Sequence, residues 1–263
     1  MSTQYRTLLA VGGYSPQLKA VIARATLEGF TLPSSSTLKF ANTLLLNMIS
    51  SGYWAKRDLI LNFAYNDVNC QNFSRINWKN PTGNLALKVA SPLYQIDGWK
   101  GTGLVVDYIS TQYNLLSSSV LYTLNDASRE AILTHAGTSV SIIDGNSSGF
   151  NECMRAGSFN TQRINCSGNN LNAAVDLTGL GYTAINRTNA TNVELFKKAV
   201  QFSRTQASTS LLNGAQRILN GSFLSGTVCV GYYSIGSQVV TEGQLLRGYY
   251  NTYLTNIGLT AVA

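Results

Sequence analysis

Two periodicities divide the chain. Through the first fifty residues apolar side chains recur every three or four positions, the spacing of one helix face. Leu18, Val21, Ile22 and Ala25 form a first stripe, with Ser15 before it as N-cap, Pro16 at the first helical position and Gly29 stopping the run. Pro33 and Ser34 to Ser36 restart the chain, and Phe40, Leu44, Leu45, Met48 and Ile49 make a second stripe that ends at Gly52. After Trp54 the pattern changes to alternation and short apolar runs, the signature of strands. Strands are predicted over 59–65, 85–90, 103–109, 119–124, 131–143, 149–155, 162–166, 172–176, 182–186, 191–196, 199–204, 216–220 and 227–233. Turn residues separate most of them, among them Asp144-Gly145-Asn146, Asn213-Gly214 and Asn220-Gly221. Helical spacing returns over 241–257. There Thr241 and Gln244 suggest a capping box, Leu245, Leu246, Tyr249, Tyr250, Tyr253 and Leu254 share a face, and Gly258 closes the helix.

Many short strands with regular turns predict a mainly β chain, an antiparallel β-sandwich or jelly roll with two N-terminal helices and one C-terminal helix. The helical arm is assigned to 1–55, and the sandwich with its trailing helix to 56–263. No flexible spacer separates them, so they are expected to move as one body.

Composition sharpens this picture. Charged residues are 12% of the 263, about half the usual ~25%, and Asn, Ser, Thr and Gly stand in their place beside 14 Tyr and 9 Phe. Such a surface suits broad, wet, uncharged contacts. No apolar run approaches the ~18 residues of a membrane-spanning helix. Leu8 to Val11 is too short for a signal-peptide core, so synthesis in a cytoplasm without secretion is expected. Cys70, Cys153, Cys166 and Cys229 show no Cys-x-x-Cys spacing and the chain has a single His, so neither a zinc site nor any cofactor is expected. Four reduced thiols are the main reading; a Cys153–Cys166 bridge across a hairpin is the alternative.

No catalytic set emerges. Gly145-Asn-Ser-Ser-Gly149 fits the G-x-S-x-G nucleophile pattern around Ser147, but His135 lies upstream and a strand, not a helix, is predicted to follow. A hairpin turn accounts for it better. The twelve acids are scattered singly; Asp126 and Glu130 are nearest, flanking what reads as a Ser/Arg turn. Glycoside cleavage needs two carboxylates about 5–9.5 Å apart, and an active pair would have to be assembled from different strands. Trp54, Trp78, Trp99, Tyr94, Tyr108 and Tyr113 suit either sugar stacking or core packing. Lys and Arg never run beyond the pairs Lys56-Arg57 and Lys197-Lys198, which argues against nucleic-acid binding.

Several segments resemble phage structural proteins, chiefly those of tailed phages of Bacteroidota-type hosts. They are Leu32-Pro33-Ser34-Ser35-Ser36, Gly52 through Asp58, Asn62 through Asp67, Ile76 through Pro81, Tyr122 through Ser128 and Asn186 through Asn189. The resemblance covers nearly the whole chain and is specific as a set. It implies a laminin-G-like, concanavalin-type jelly roll in a virion protein (a head decoration, head fibre or tail component). It further implies a homo-oligomer with capsid or tail proteins as partners, and it transfers no catalytic residue. A glycan- or receptor-binding adhesion module of a fibre is the alternative, with a host surface glycan as ligand. The calcium-ligand and Glu-x-Asp patterns of lectins and glucanases that share this fold are absent.

Charge distribution adds a docking expectation. Residues 1–57 hold Arg6, Lys19, Arg24, Lys39, Lys56 and Arg57 against Glu28 alone, a +5 excess out of the chain's +7. Lys19, Arg24 and Lys39 are therefore the expected docking residues on an acidic neighbour, with the N-terminal helices as the foot.

Overall fold

The computed structural model of the chain describes residues 13–104, 106–137, 142–147, 149–155, 163–166, 179–219 and 227–262. Among the described residues three α-helices and thirteen strands order themselves as α1 (Pro16–Leu27), α2 (Ser35–Ser50), β1 (Arg57–Asn62), β2 (Leu87–Val89), β3 (Leu93–Gln95), β4 (Gly98–Lys100), β5 (Tyr108–Asn114), β6 (Ala127–His135), β7 (Ile142–Asn146), β8 (Gly149–Arg155), β9 (Gly181–Arg187), β10 (Asn192–Lys197), β11 (Val200–Thr205), β12 (Ala215–Ile218), β13 (Cys229–Gly236) and α3 (Thr241–Asn256). The fold is an antiparallel β-sandwich with two N-terminal helices and one C-terminal helix, as the periodicities predict. One sheet runs β11-β10-β9-β6-β13-β4-β3, with β1 also paired to β13. The other runs β2-β5-β12-β7-β8.

The layers number three. Between the sheets lies one apolar core, with Leu59, Leu61, Trp99, Ile109, Ala131, Leu133, Ile185, Val230, Tyr233 and Ile235 among its members. On the far side of the larger sheet, Ile60, Ile132, Tyr182 and Tyr232 meet Leu18, Val21, Leu44, Met48, Leu246 and Tyr250 from all three helices. Strands β6, β9 and β13 are therefore covered on both faces, and their residues are buried almost without a break. Such strands lose the in–out alternation that marks a half-exposed strand.

Helix starts and stops follow local chemistry. Ser15 Oγ accepts the Leu18 N–H at 3.3 Å and Ser34 Oγ accepts that of Thr37 at 3.2 Å, capping α1 and α2. Gly29 and Gly52 follow with φ of +69° and +79°, a region that glycine enters without a Cβ clash. At α3 the expected capping box does not form. Val240 stands at the cap position without a side-chain bond, and Gln244 instead donates to the Lys198 carbonyl at 3.0 Å. On this helix Leu246, Tyr250, Tyr253 and Leu254 are buried, while Leu245 points away and is 42% exposed.

Strand boundaries depart from expectation where polar residues are buried. The predicted strand over 131–143 is two strands, and β6 begins at Ala127, so Ser128-Arg129-Glu130 is the interior of a central strand rather than a turn. Residues 119–124 form a loop, and the strand expected over 103–109 occurs at Tyr108–Asn114. The β3–β4 hairpin was not foreseen. The strand expected over 172–176 lies outside the described residues.

Candidate functional site

Glycine-serine chemistry at Gly145–Gly149 makes a hairpin and no nucleophile elbow. Asn146 pairs with Gly149 across the β7–β8 turn, so a strand follows the turn. Asp144 and Glu130, both fully buried in their strands, are occupied. Arg129 Nη1 contacts both Asp144 oxygens at 2.9 Å, and Tyr233 OH and the Met154 N–H donate to the same carboxylate at 2.5 and 2.7 Å. On the opposite face of β6, Glu130 accepts from Tyr53 OH and lies 3.7 Å from Arg57 Nη1. Burial raises the Glu130 carboxyl above the ordinary range, against the opposing pull of Arg57 and the hydroxyls around it. A raised carboxyl often marks a catalytic acid. Glu130 and Arg57, however, are fully enclosed, which makes this cluster a bolt between sheet and helices.

One opening that faces solvent lies beside β1 and the kinked strand β5. It is a cleft of about 290 Å³ lined by Asp58, Leu59, Asn77, Asn80, Gly83, Asn84, Thr111, Gln112, Tyr113, Ser118 and Val120. Strand β5 turns here because Gln112 takes φ of +56°, which a β-substituted residue rarely adopts, and its amide donates to the Leu85 carbonyl at 2.5 Å. Strained positions of this kind concentrate at functional sites. Asp58 builds one wall. Its carboxylate accepts Tyr113 OH at 2.9 Å and the N–H groups of Leu121 and Tyr122 at 3.0 and 2.8 Å. Asn77 Oδ1 accepts from Ile60 N and Lys79 N. Asn80 Oδ1 accepts from Thr82 Oγ1, and its NH₂ sits where a Cβ at Gly83 would come within 2.6 Å.

A neutral amide wall is the outcome. The single carboxylate among the cleft's lining residues takes its donors chiefly at Oδ2, with Oδ1 sharing the Leu121 N–H at 3.1 Å. Nearby Lys79 is held by the Trp54 carbonyl at 2.8 Å and lies 4.6 Å from the centre of the Trp54 ring. Amide NH₂ and C=O groups with Ser and Tyr hydroxyls match a ligand rich in hydroxyls, which both donates and accepts. A volume near the lower end of small-molecule pockets, about 300 Å³, suits a short, compact ligand.

No protein-family model matches the chain, and no curated protein matches it in sequence. Solved structures do align. A mutant Trypanosoma rangeli sialidase displaying trans-sialidase activity matches at 7% identity and a TM-score of 0.49, over 84% of this chain and 40% of its own. The binding domain of botulinum neurotoxin serotype D matches at 12% and 0.46, over 78% and 53%. That of Paraclostridial Mosquitocidal Protein 1 matches at 10% and 0.47, over 76% and 53%. This chain thus spans about half the length of those chains or less. Likeness this distant assigns no function.

The residues singled out in the sequence are dispersed. Lys19 and Lys39 are exposed and make no ion pair among the described residues. Arg24 is bound to Glu28 at 2.9 Å and to the Thr82 carbonyl at 3.2 Å, so it belongs to a local contact. Lys56 pairs with Glu242 at 2.7 Å, and Arg57 is buried with Glu130. The N-terminal charge excess is smaller in effect than in sequence. Of the aromatic candidates, Trp78, Trp99 and Tyr113 are buried in the cores and Trp54 is half-buried beneath Lys79. Tyr94 packs on Trp99 at 5.1 Å, and Arg217 stacks on Tyr108 at 4.4 Å. Cys70, Cys166 and Cys229 are buried. The side chain of Cys153 lies outside the described residues. Sequence reasoning missed the cleft because its amides come from segments that are ordinary loops in sequence. The one local signal is the density of Asn over 77–84.

Proposed function

We propose that this chain is a non-enzymatic adhesion module whose cleft takes a neutral, hydroxyl-rich ligand of the surface-glycan class. The observation that carries this reading is the cleft wall itself, which Asn77, Asn80 and Asn84 line and in which the Asp58 carboxylate is engaged by hydrogen bonds from its own fold. A phosphate would want a free cation there, and a cation would want a free carboxylate. Replacing both Asn80 and Asn84, which are exposed, by alanine should reduce binding of a neutral oligosaccharide about tenfold or more, at about 1 kcal/mol per lost hydrogen bond. Calorimetry on the wild type and the double variant reads it, and the melting temperature should stay unchanged. Equal affinity for both proteins would refute the site.

A second reading, a virion accessory protein that docks through its helical layer, is favoured by the outer surface of α1 and α2. Lys19 and Lys39 stand exposed on these helices, which also carry Leu27, 82% exposed, and Leu46, 47% exposed. Exposed apolar and cationic side chains on the same helices suit an acidic protein surface. Charge reversal at Lys19 and Lys39 should slow incorporation into particles most at low ionic strength, where the Debye length exceeds about 10 Å. Normal incorporation of that variant at every salt concentration would remove the helices as the foot.

A further inference from the structure

Three ligand-bearing side chains distant in sequence meet at one end of the larger sheet. His135 is the last residue of β6, and its register partner on β13 is Cys229, the first residue of that strand. The turn of the β3–β4 hairpin brings Asp97 to both. Asp97 Oδ2 lies 3.3 Å from His135 Nδ1, and Cys229 Sγ lies 3.8 Å from Asp97 Oδ1. All three ligand atoms are within 4.8 Å of one another.

The backbone is built for this approach. Gly98, at φ of +147°, sits so close to β13 that a Cβ would come within 2.2 Å of the Val230 carbonyl oxygen. At Gly231 a Cβ would lie 3.0 Å from the Asp97 carbonyl oxygen. Thr134 Oγ1 bonds that same carbonyl at 3.2 Å, pinning the turn over the strand ends. Cys229 is buried, Asp97 is partly exposed and His135 is 51% exposed on its side chain, so the cluster has a closed floor and an open top.

We propose that Asp97, His135 and Cys229 form a binding site for a zinc-class divalent metal ion, with the fourth position left to water or an external ligand. A tetrahedral zinc ion with bonds of about 2.0–2.3 Å holds its ligand atoms about 3.3–3.7 Å apart, and the three ligand atoms here, within 4.8 Å of one another, need close only slightly to reach it. One thiolate, one imidazole and one carboxylate favour a borderline-soft metal over calcium or magnesium, which take all-oxygen shells. Without an ion the Cys229 thiol donates to Asp97, and metal binding would replace that proton. The bound ion would fasten the β3–β4 hairpin to the ends of β6 and β13. The site is independent of the cleft reading.

Cobalt(II) is the probe. One equivalent added to the full chain should give the intense visible bands of tetrahedral cobalt and a thiolate-to-cobalt charge-transfer band in the near ultraviolet, both erased by zinc. Cys229→Ser should abolish the charge-transfer band. His135→Ala, at an exposed position that folding does not need, should weaken zinc binding by more than about tenfold. Zinc should raise the melting temperature of the wild type and leave that of Cys229→Ser unchanged. A folded wild type with no charge-transfer band, or a band that persists in Cys229→Ser, would overturn the proposal. So would zinc affinity unaltered in His135→Ala.

Discussion

Replacing Arg129 with methionine is expected to lower the free energy of unfolding by about 3–5 kcal/mol, read from urea denaturation at neutral pH. Methionine fills much of the arginine volume, so the loss reports charge more than cavity. Asp144 would remain between the two sheets, fully enclosed, with its only cationic partner among the described residues gone. Burial and the Asp144 charge keep Tyr233 protonated, so its hydroxyl continues to donate, but one hydroxyl and one backbone N–H do not compensate a full buried charge. Adding Asp144→Asn should restore a large part of the loss, because the amide carries no charge, its oxygen still accepts the Met154 N–H, and its NH₂ can donate to the Tyr233 hydroxyl, which bonds the other oxygen of Asp144. If the single variant keeps wild-type stability, or the second substitution makes matters worse, the pair is not the inter-sheet bolt described here.

Ending the chain at Val240 is expected to yield insoluble protein. Leu246, Tyr250, Tyr253 and Leu254 of α3 are buried, and each contributes about 1.5–3 kcal/mol by leaving water. Four such side chains rival the whole stability of a domain, about 5–15 kcal/mol. Their tyrosines also bind the sheet directly. Tyr250 OH donates to the Gly231 carbonyl at 2.5 Å, and Tyr253 OH to that of Ala64 at 2.6 Å. Removal would leave Asn62 without these partners and would expose Tyr232 and Ile132 on the face of a central strand pair. Expression with sedimentation and far-ultraviolet circular dichroism decides it; a soluble, cooperatively folding truncate would contradict the three-layer account.

The helices were legible because their caps are local: Ser15 with Pro16, Ser34, and the glycines at 29 and 52 act within a few residues. The edge hairpin β10–β11 was legible too, since Val193 and Leu195, and then Val200 and Phe202, recur at every second position. What misled was burial on both faces. Ser128-Arg129-Glu130 looks like a solvated turn by composition, yet Arg129 faces the inter-sheet core and Glu130 the helical layer, each satisfied by a partner distant in sequence. The same limit hid both candidate sites. Asp97, His135 and Cys229 have no metal-ligand spacing, and their meeting depends on strand register and two close-approach glycines. The amides of the cleft gather only because β5 kinks at Gln112 and the 118–122 loop folds onto Asp58.

Exposed cations misled in a different way. The +5 excess over 1–57 is real in the sequence, but Arg24, Lys56 and Arg57 spend their charge on Glu28, Glu242 and Glu130. Lys19 and Lys39 are what remains for a partner among the described residues, so docking through the helices would rest on apolar contact as much as on charge.

A neutral ligand in the cleft is the central claim, and ligand-observed followed by protein-observed NMR tests it most directly. Neutral oligosaccharides should show saturation transfer from the protein, and a binder should then shift side-chain amide resonances of Asn77, Asn80, Asn84 and Gln112 in a saturable way, leaving those around Asp97 and His135 still. Shifts confined to another surface, or saturable binding by phosphorylated or acidic sugars alone, would contradict it.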